Sequence, residues 1–176
     1  MSNERPDDAP ARASRNDKDD GMVLAGRSVT INRPRAELYA FWADFSNLPR
    51  FMKNVRAVNV EAGGRTNWIV KTPGGEVTIK TEAADIEENT SLGWRSVEGS
   101  DIVTEGRVTF VDAPAGRGTV VTADIGYEPP AGDAGRAVAK LLGAEPDIQA
   151  RHELKRFKML METGEIATAQ NRRGEE

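Results

Sequence analysis

Polar and apolar residues alternate with a period of two from Glu76 to Ile86. Val77, Ile79, Thr81 and Ala83 fall on one face of an extended chain, and Glu76, Thr78, Lys80 and Glu82 on the other. One apolar and one polar face predict an antiparallel strand with one side in water. Comparable segments surround it, each closed by turn residues. Val55 to Ala62 ends at Gly63-Gly64, and Thr66 to Thr72 ends at Pro73-Gly74-Gly75. Leu92 to Val97, Ile102 to Val111 and Gly118 to Tyr127 follow, and on the last of these Val121, Ala123, Ile125 and Tyr127 share a face. Upstream, Met22 to Asn32 carries Val23, Ser28, Val29, Thr30 and Ile31, which favour extended backbone.

Twice the period lengthens to that of a helix. After Asn32-Arg33-Pro34, with Pro34 suited to a first turn, Leu38, Phe41, Trp42 and Phe45 recur at helical spacing. Ser46-Asn47-Leu48-Pro49 then restarts a short helix, with Ser46 or Asn47 as its cap, to which Phe51, Met52 and Val55 add apolar side chains. The second helical region closes the chain. Ala134 to Leu142 is a first piece, interrupted at Gly143-Ala144-Glu145-Pro146. Pro146 to about Thr163 is the long helix, about 27 Å at 1.5 Å per residue. Its Ala150, Leu154, Phe157 and Met161 share one face, and Gly164 is placed to cap its C-terminus.

Composition limits what such a chain does. At 176 residues it fits one domain, over 22–168, between charged, apolar-poor tails (1–21 and 169–176) expected to be disordered. The sequence holds no cysteine, which removes disulfides, zinc ribbons and thiol nucleophiles and suits a reducing cytoplasm. A net charge of −4 argues against nucleic acid as partner. No apolar run approaches the roughly 20 residues of a transmembrane helix, and the first residues lack the apolar core of a signal peptide. A cytoplasmic protein is expected.

The order strand, two short helices, six strands, long helix is that of an α+β helix-grip fold. Its curved seven-stranded antiparallel sheet is gripped by the C-terminal helix. Through the stretches FWADFSNLPRFMKNV (41–55), GWRSVEGSDIVTEGRVTF (93–110), GRGTVVTADIGYEPPAG (116–132) and LLGAEPDIQARHELKRFKMLMETGEIAT (141–168), the chain resembles the polyketide cyclase/dehydrase and START-type (SRPBCC) superfamily. The birch-pollen-allergen-like and coenzyme-Q-binding proteins belong to the same superfamily. The resemblance implies the fold and a cavity between sheet and helix. It leaves the chemistry open, since members bind lipids, quinones, hormones or polyketides and some are enzymes.

Such a cavity would be lined by Phe45, Leu48, Phe51 and Met52 near its mouth. Trp68, Val77, Ile79, Trp94, Val108 and Phe110 would line it from the sheet, and Leu154, Phe157 and Met161 from the helix. The competing reading has these side chains meet and fill a core. Met159 adds adaptable packing to either. His152, the single histidine, lies about 160° around the helix from Leu154 and reads as a surface residue. Asp44, Asp85, Asp101, Glu105 and Asp124 form no recognisable catalytic pair, and strand alternation sends Arg95 outward when Trp94 points in. Tyr127 offers a hydroxyl inside the sheet, against the commoner reading of a core tyrosine at a strand end.

Gly116-Arg117-Gly118 lacks the context of a phosphate loop, and no metal or cofactor motif is present. Arg151, Lys155, Arg156 and Lys158 make the last helix locally basic, which leaves peripheral contact with an anionic membrane open, although Glu153 and Glu162 interrupt the run. The sequence names no protein partner and no catalytic residue. Three functions remain: non-covalent binding or carriage of a lipid, quinone or polyketide-like ligand; a cyclase or dehydratase; and an interaction module without ligand.

Overall fold

The computed structural model describes residues 23–128, Gly132 and residues 146–167. The charged tails and the helical piece expected at Ala134 to Leu142 lie outside the described residues.

Seven strands form one antiparallel sheet: β1 (Val23–Ile31), β2 (Val55–Val60), β3 (Thr66–Thr72), β4 (Gly75–Glu87), β5 (Ser91–Ser96), β6 (Thr104–Asp112) and β7 (Thr119–Tyr127). Their spatial order is β1-β7-β6-β5-β4-β3-β2. Every neighbouring pair except β1–β7 is therefore consecutive in sequence, and the first strand returns to pair with the last, from Val23↔Tyr127 to Ile31↔Thr119. The sheet curls into a half-barrel. Between β1 and β2 run helix α1 (Arg35–Ala43) and a 3-10 helix (Phe45–Arg50); helix α2 (Pro146–Thr163) follows later and packs against β1. This is the helix-grip α+β fold.

Two helix starts differ from the sequence expectation. Pro34 is extended (φ −61°, ψ 142°) and precedes the first helical residue of α1 instead of occupying its first turn. The 3-10 helix is capped by Asp44, two residues before Ser46 and three before Asn47. Asp44 accepts the Ser46 N–H at 3.1 Å and the Ser46 hydroxyl at 2.5 Å, because a carboxylate satisfies both donors at once.

Packing centres on an aromatic group where α1, the 3-10 helix and α2 meet. Phe157 lies 4.9 Å from Phe51 and 5.0 Å from Trp42, the latter nearly perpendicular at 88°, and Phe41 borders it at 5.9 Å. Edge-to-face contacts of this kind add to the area buried. The buried face of α2 is Ala150, Leu154, Phe157 and Leu160. Leu160 was not part of the predicted stripe, and Met161 beside it is only half-buried. Gly164 ends the helix as expected, at φ 78° with its N–H on the Leu160 carbonyl.

The concave face of the sheet as a candidate ligand site

Alternation and register together place the side chains. Trp68 stands opposite Ile79, Trp94 opposite Gly106, and Gly106 opposite Ile125, all on the face that α2 and the 3-10 helix cover. Trp94 lies down over Gly106, where a side chain would occupy the same space. Its ring centroid is 5.7 Å from that of Trp68, and Phe45 leans on both, at 5.7 Å from Trp68 and 6.4 Å from Trp94. The result is an aromatic wall across β3, β5 and the 3-10 helix.

The candidate lining residues fall into two sets. Leu48, Phe51, Val108, Phe110, Leu154 and Phe157 are enclosed, between 0 and 2 % exposed. Trp68, Val77 and Trp94 are buried less completely, and Phe45, Met52, Ile79 and Met161 are half-buried against them. The first set joins the helices to the sheet. The second forms a less closed surface that Ile125 and Tyr127 extend along β7.

Sequence reasoning missed a row of hydroxyls crossing that surface. Thr66 pairs with Thr81, Thr81 with Ser96, and Thr104 with Tyr127. The Thr104 N–H donates to the Ser96 hydroxyl oxygen at 3.1 Å and so continues the line from β5 to β6. Each of these residues has the same strand parity as an inward neighbour: Trp68, Ile79, Trp94, Gly106 or Ile125. Within the row, Thr66 and Thr81 share a hydrogen bond of 2.6 Å, the Trp68 indole N–H donates to Thr66 Oγ1 at 3.0 Å, and the Thr104 hydroxyl donates to the Gly126 carbonyl at 2.8 Å. The sequence signals were Thr81, which alternates with Val77 and Ile79, and Tyr127, which shares a face with Ile125. The other hydroxyls become a row only when five strands are set in register.

Electrostatics on this face are mild. Burial pushes the Tyr127 phenol above its ordinary value, so it stays protonated and can donate. Arg27, opposite Ala123 on β1, is half-buried and donates to the Gly26 carbonyl at 3.1 Å. The carboxylates noted in the sequence serve elsewhere: Asp44 caps, Asp101 accepts the Thr78 N–H at 2.7 Å, and Asp124 faces Arg107 on the convex side. Arg95 points outward to Glu82 at 2.8 Å, and His152 is exposed. Among the described residues no three metal-ligating side chains come together, and no helix is long and apolar enough to cross a membrane.

Known proteins agree with this architecture. The family described as "polyketide cyclase / dehydrase and lipid transport" matches residues 22–162. A protein of Deinococcus radiodurans is 32% identical, with a TM-score of 0.65 over 81% of this chain and 100% of its own. One from Thermus thermophilus is 25% identical, with a TM-score of 0.59 over 78% and 94%. The Zhui aromatase/cyclase of a Streptomyces shares the fold at 13% identity, with a TM-score of 0.62 over 83% and 99%. No curated protein matches the chain. An antiparallel sheet gripped by a C-terminal helix, matched over most of its length, places the chain in the polyketide cyclase/dehydrase and lipid-transport family.

Proposed function

We propose that the protein binds a small or medium apolar ligand, such as a lipid, a quinone or a polyketide-like molecule, between the concave face of the sheet and α2. One observation carries this reading: the wall of Phe45, Trp68 and Trp94 is continued by half-buried Met52, Ile79, Ile125 and Met161, instead of by fully enclosed side chains. Stacked rings and adaptable methionine supply apolar contact at low ordering cost. Phe51, Phe110, Leu154 and Phe157 then act as the rigid back of the site, holding its shape. The family's description adds lipid transport as a supporting function class. The absence of cysteine suits work in the cytoplasm.

Native mass spectrometry of the purified full chain, with organic extraction of its contents, tests the reading. A co-purifying apolar molecule that is lost in a Trp94→Ala variant is the expected result. A protein that is empty and also ignores a panel of apolar probes overturns it.

A second reading, a cyclase or dehydratase, draws on Tyr127, an inward phenol that carries its proton at neutral pH and could hydrogen-bond to a substrate oxygen. Turnover of a polyketide-like substrate that disappears in Tyr127→Phe would favour it over simple carriage.

A further inference from the structure

We propose that the open end of the hydroxyl row, Ser96 and Tyr127 on either side of Thr104, is a donor site for a carbonyl oxygen on an otherwise apolar, uncharged ligand. The inference rests on the cavity reading above and adds what that cavity recognises. It follows from counting protons. Each hydroxyl brings one hydrogen and can accept others, whereas an indole nitrogen only donates. The Trp68 N–H therefore gives to Thr66 Oγ1, and the Thr66–Thr81 contact uses the hydrogen of one of those two hydroxyls, while the hydrogen of the other is shut in with the enclosed pair. The Thr104 hydrogen goes to the Gly126 carbonyl.

The Ser96 oxygen accepts from the Thr104 N–H, but its own hydrogen meets no acceptor among the described residues. The Tyr127 hydroxyl has no partner among them either. Thr66 and Thr81 are closed off at 3 % and 1 % exposed, while Ser96 and Tyr127 are half-buried and within reach of a ligand. Neighbouring strands lie about 4.8 Å apart. The two donors, two strands apart, thus flank Thr104 on the strand between them, beside the apolar row of Trp94, Gly106 and Ile125. Hydroxyls carry no formal charge, so the complementary group is a neutral acceptor. A buried donor that finds a carbonyl discriminates against the same skeleton without one, because the hydrocarbon leaves that donor unpaired.

A matched pair of probes, 9-fluorenone and fluorene, differs in that one oxygen. Equilibrium dialysis against the full chain should show fluorenone bound about three- to tenfold more tightly, the range expected for one or two neutral hydrogen bonds. Ser96→Ala and Tyr127→Phe should each lower this ratio, and the double variant should bring it close to one. Tyr127→Phe keeps the ring and its packing, so it decides the matter if the double variant melts early. Equal binding of the two probes by the natural chain would overturn the donor site while leaving the cavity intact. A ratio that survives in the variants would also overturn it, since the oxygen would then be read elsewhere. Failure of both probes to bind would overturn the cavity reading and this inference with it.

Discussion

Gly106 shows how a single missing side chain shapes the sheet. A Cβ there would overlap Trp94 Cζ2, in the rigid part of an indole that packs against Trp68. Gly106→Ala is expected to stand Trp94 up, cost about 1–3 kcal/mol by overpacking, and shift tryptophan emission to the red. An unchanged spectrum and melting temperature would show that the indole does not rest on this backbone. On the convex face, Asp124 leaves part of its surface to water, yet desolvation raises its pKa above 3.8, only partly countered by Arg107. A carboxyl whose folded pKa is raised favours the folded state when protonated. Its contribution is present below the ordinary value and is lost as pH rises through the folded one. Denaturation midpoints measured from about pH 3 to 7 should therefore fall less steeply over the window just above 3.8 in Asp124→Asn than in the natural chain.

At the scale of elements, α2 is held by more than its apolar face. Arg33 donates to the carbonyls of Met161 at 2.9 Å and Glu162 at 3.2 Å, and the Asn32 N–H donates to the Glu162 carboxylate at 2.8 Å. Lys158 reaches the Thr30 carbonyl at 2.7 Å, and on the other flank Arg156 reaches that of Phe51, also at 2.7 Å. The last carbonyls of a helix have no partner of their own, and here the loop after β1 supplies one. Arg33→Ala should speed amide exchange in the final turns of α2 by about tenfold, with little change around Leu154. Uniform exchange along the helix would mean the guanidinium does not hold that end. The apolar stripe of α2 was visible in the sequence. Its clamps were not, because each joins residues more than 100 positions apart, and exposed polar residues carry no periodic signal.

For the molecule as a whole, the order of elements was readable because strand and helix periods are local properties of the chain, set by which residues must face a core. The strand ends moved by a residue or two, as at Ile102, which lies just before β6 yet is buried at 5 %. The aromatic members of the candidate site were legible as apolar residues, but the division between enclosed Phe157 and half-buried Phe45 depends on tertiary packing. The hydroxyl row was out of reach for a different reason. It runs across strands, and residues as far apart as Thr66 and Tyr127 acquire a common address only through pairing.

That pairing pattern also governs how the chain is assembled. β1 precedes the other strands in synthesis, but its partner is β7, so Ser28 meets Thr122, 94 positions further along the chain. The five hairpin-linked pairs from β2 to β7 can zip in order as they leave the ribosome, each adding a short loop to close. Throughout that time β1 has no neighbour to bond, and neither does the far edge of the growing sheet. Folding of this protein is therefore a closure that waits on its last strand, slow by contact order, with α2 arriving afterwards to lock β1 in place.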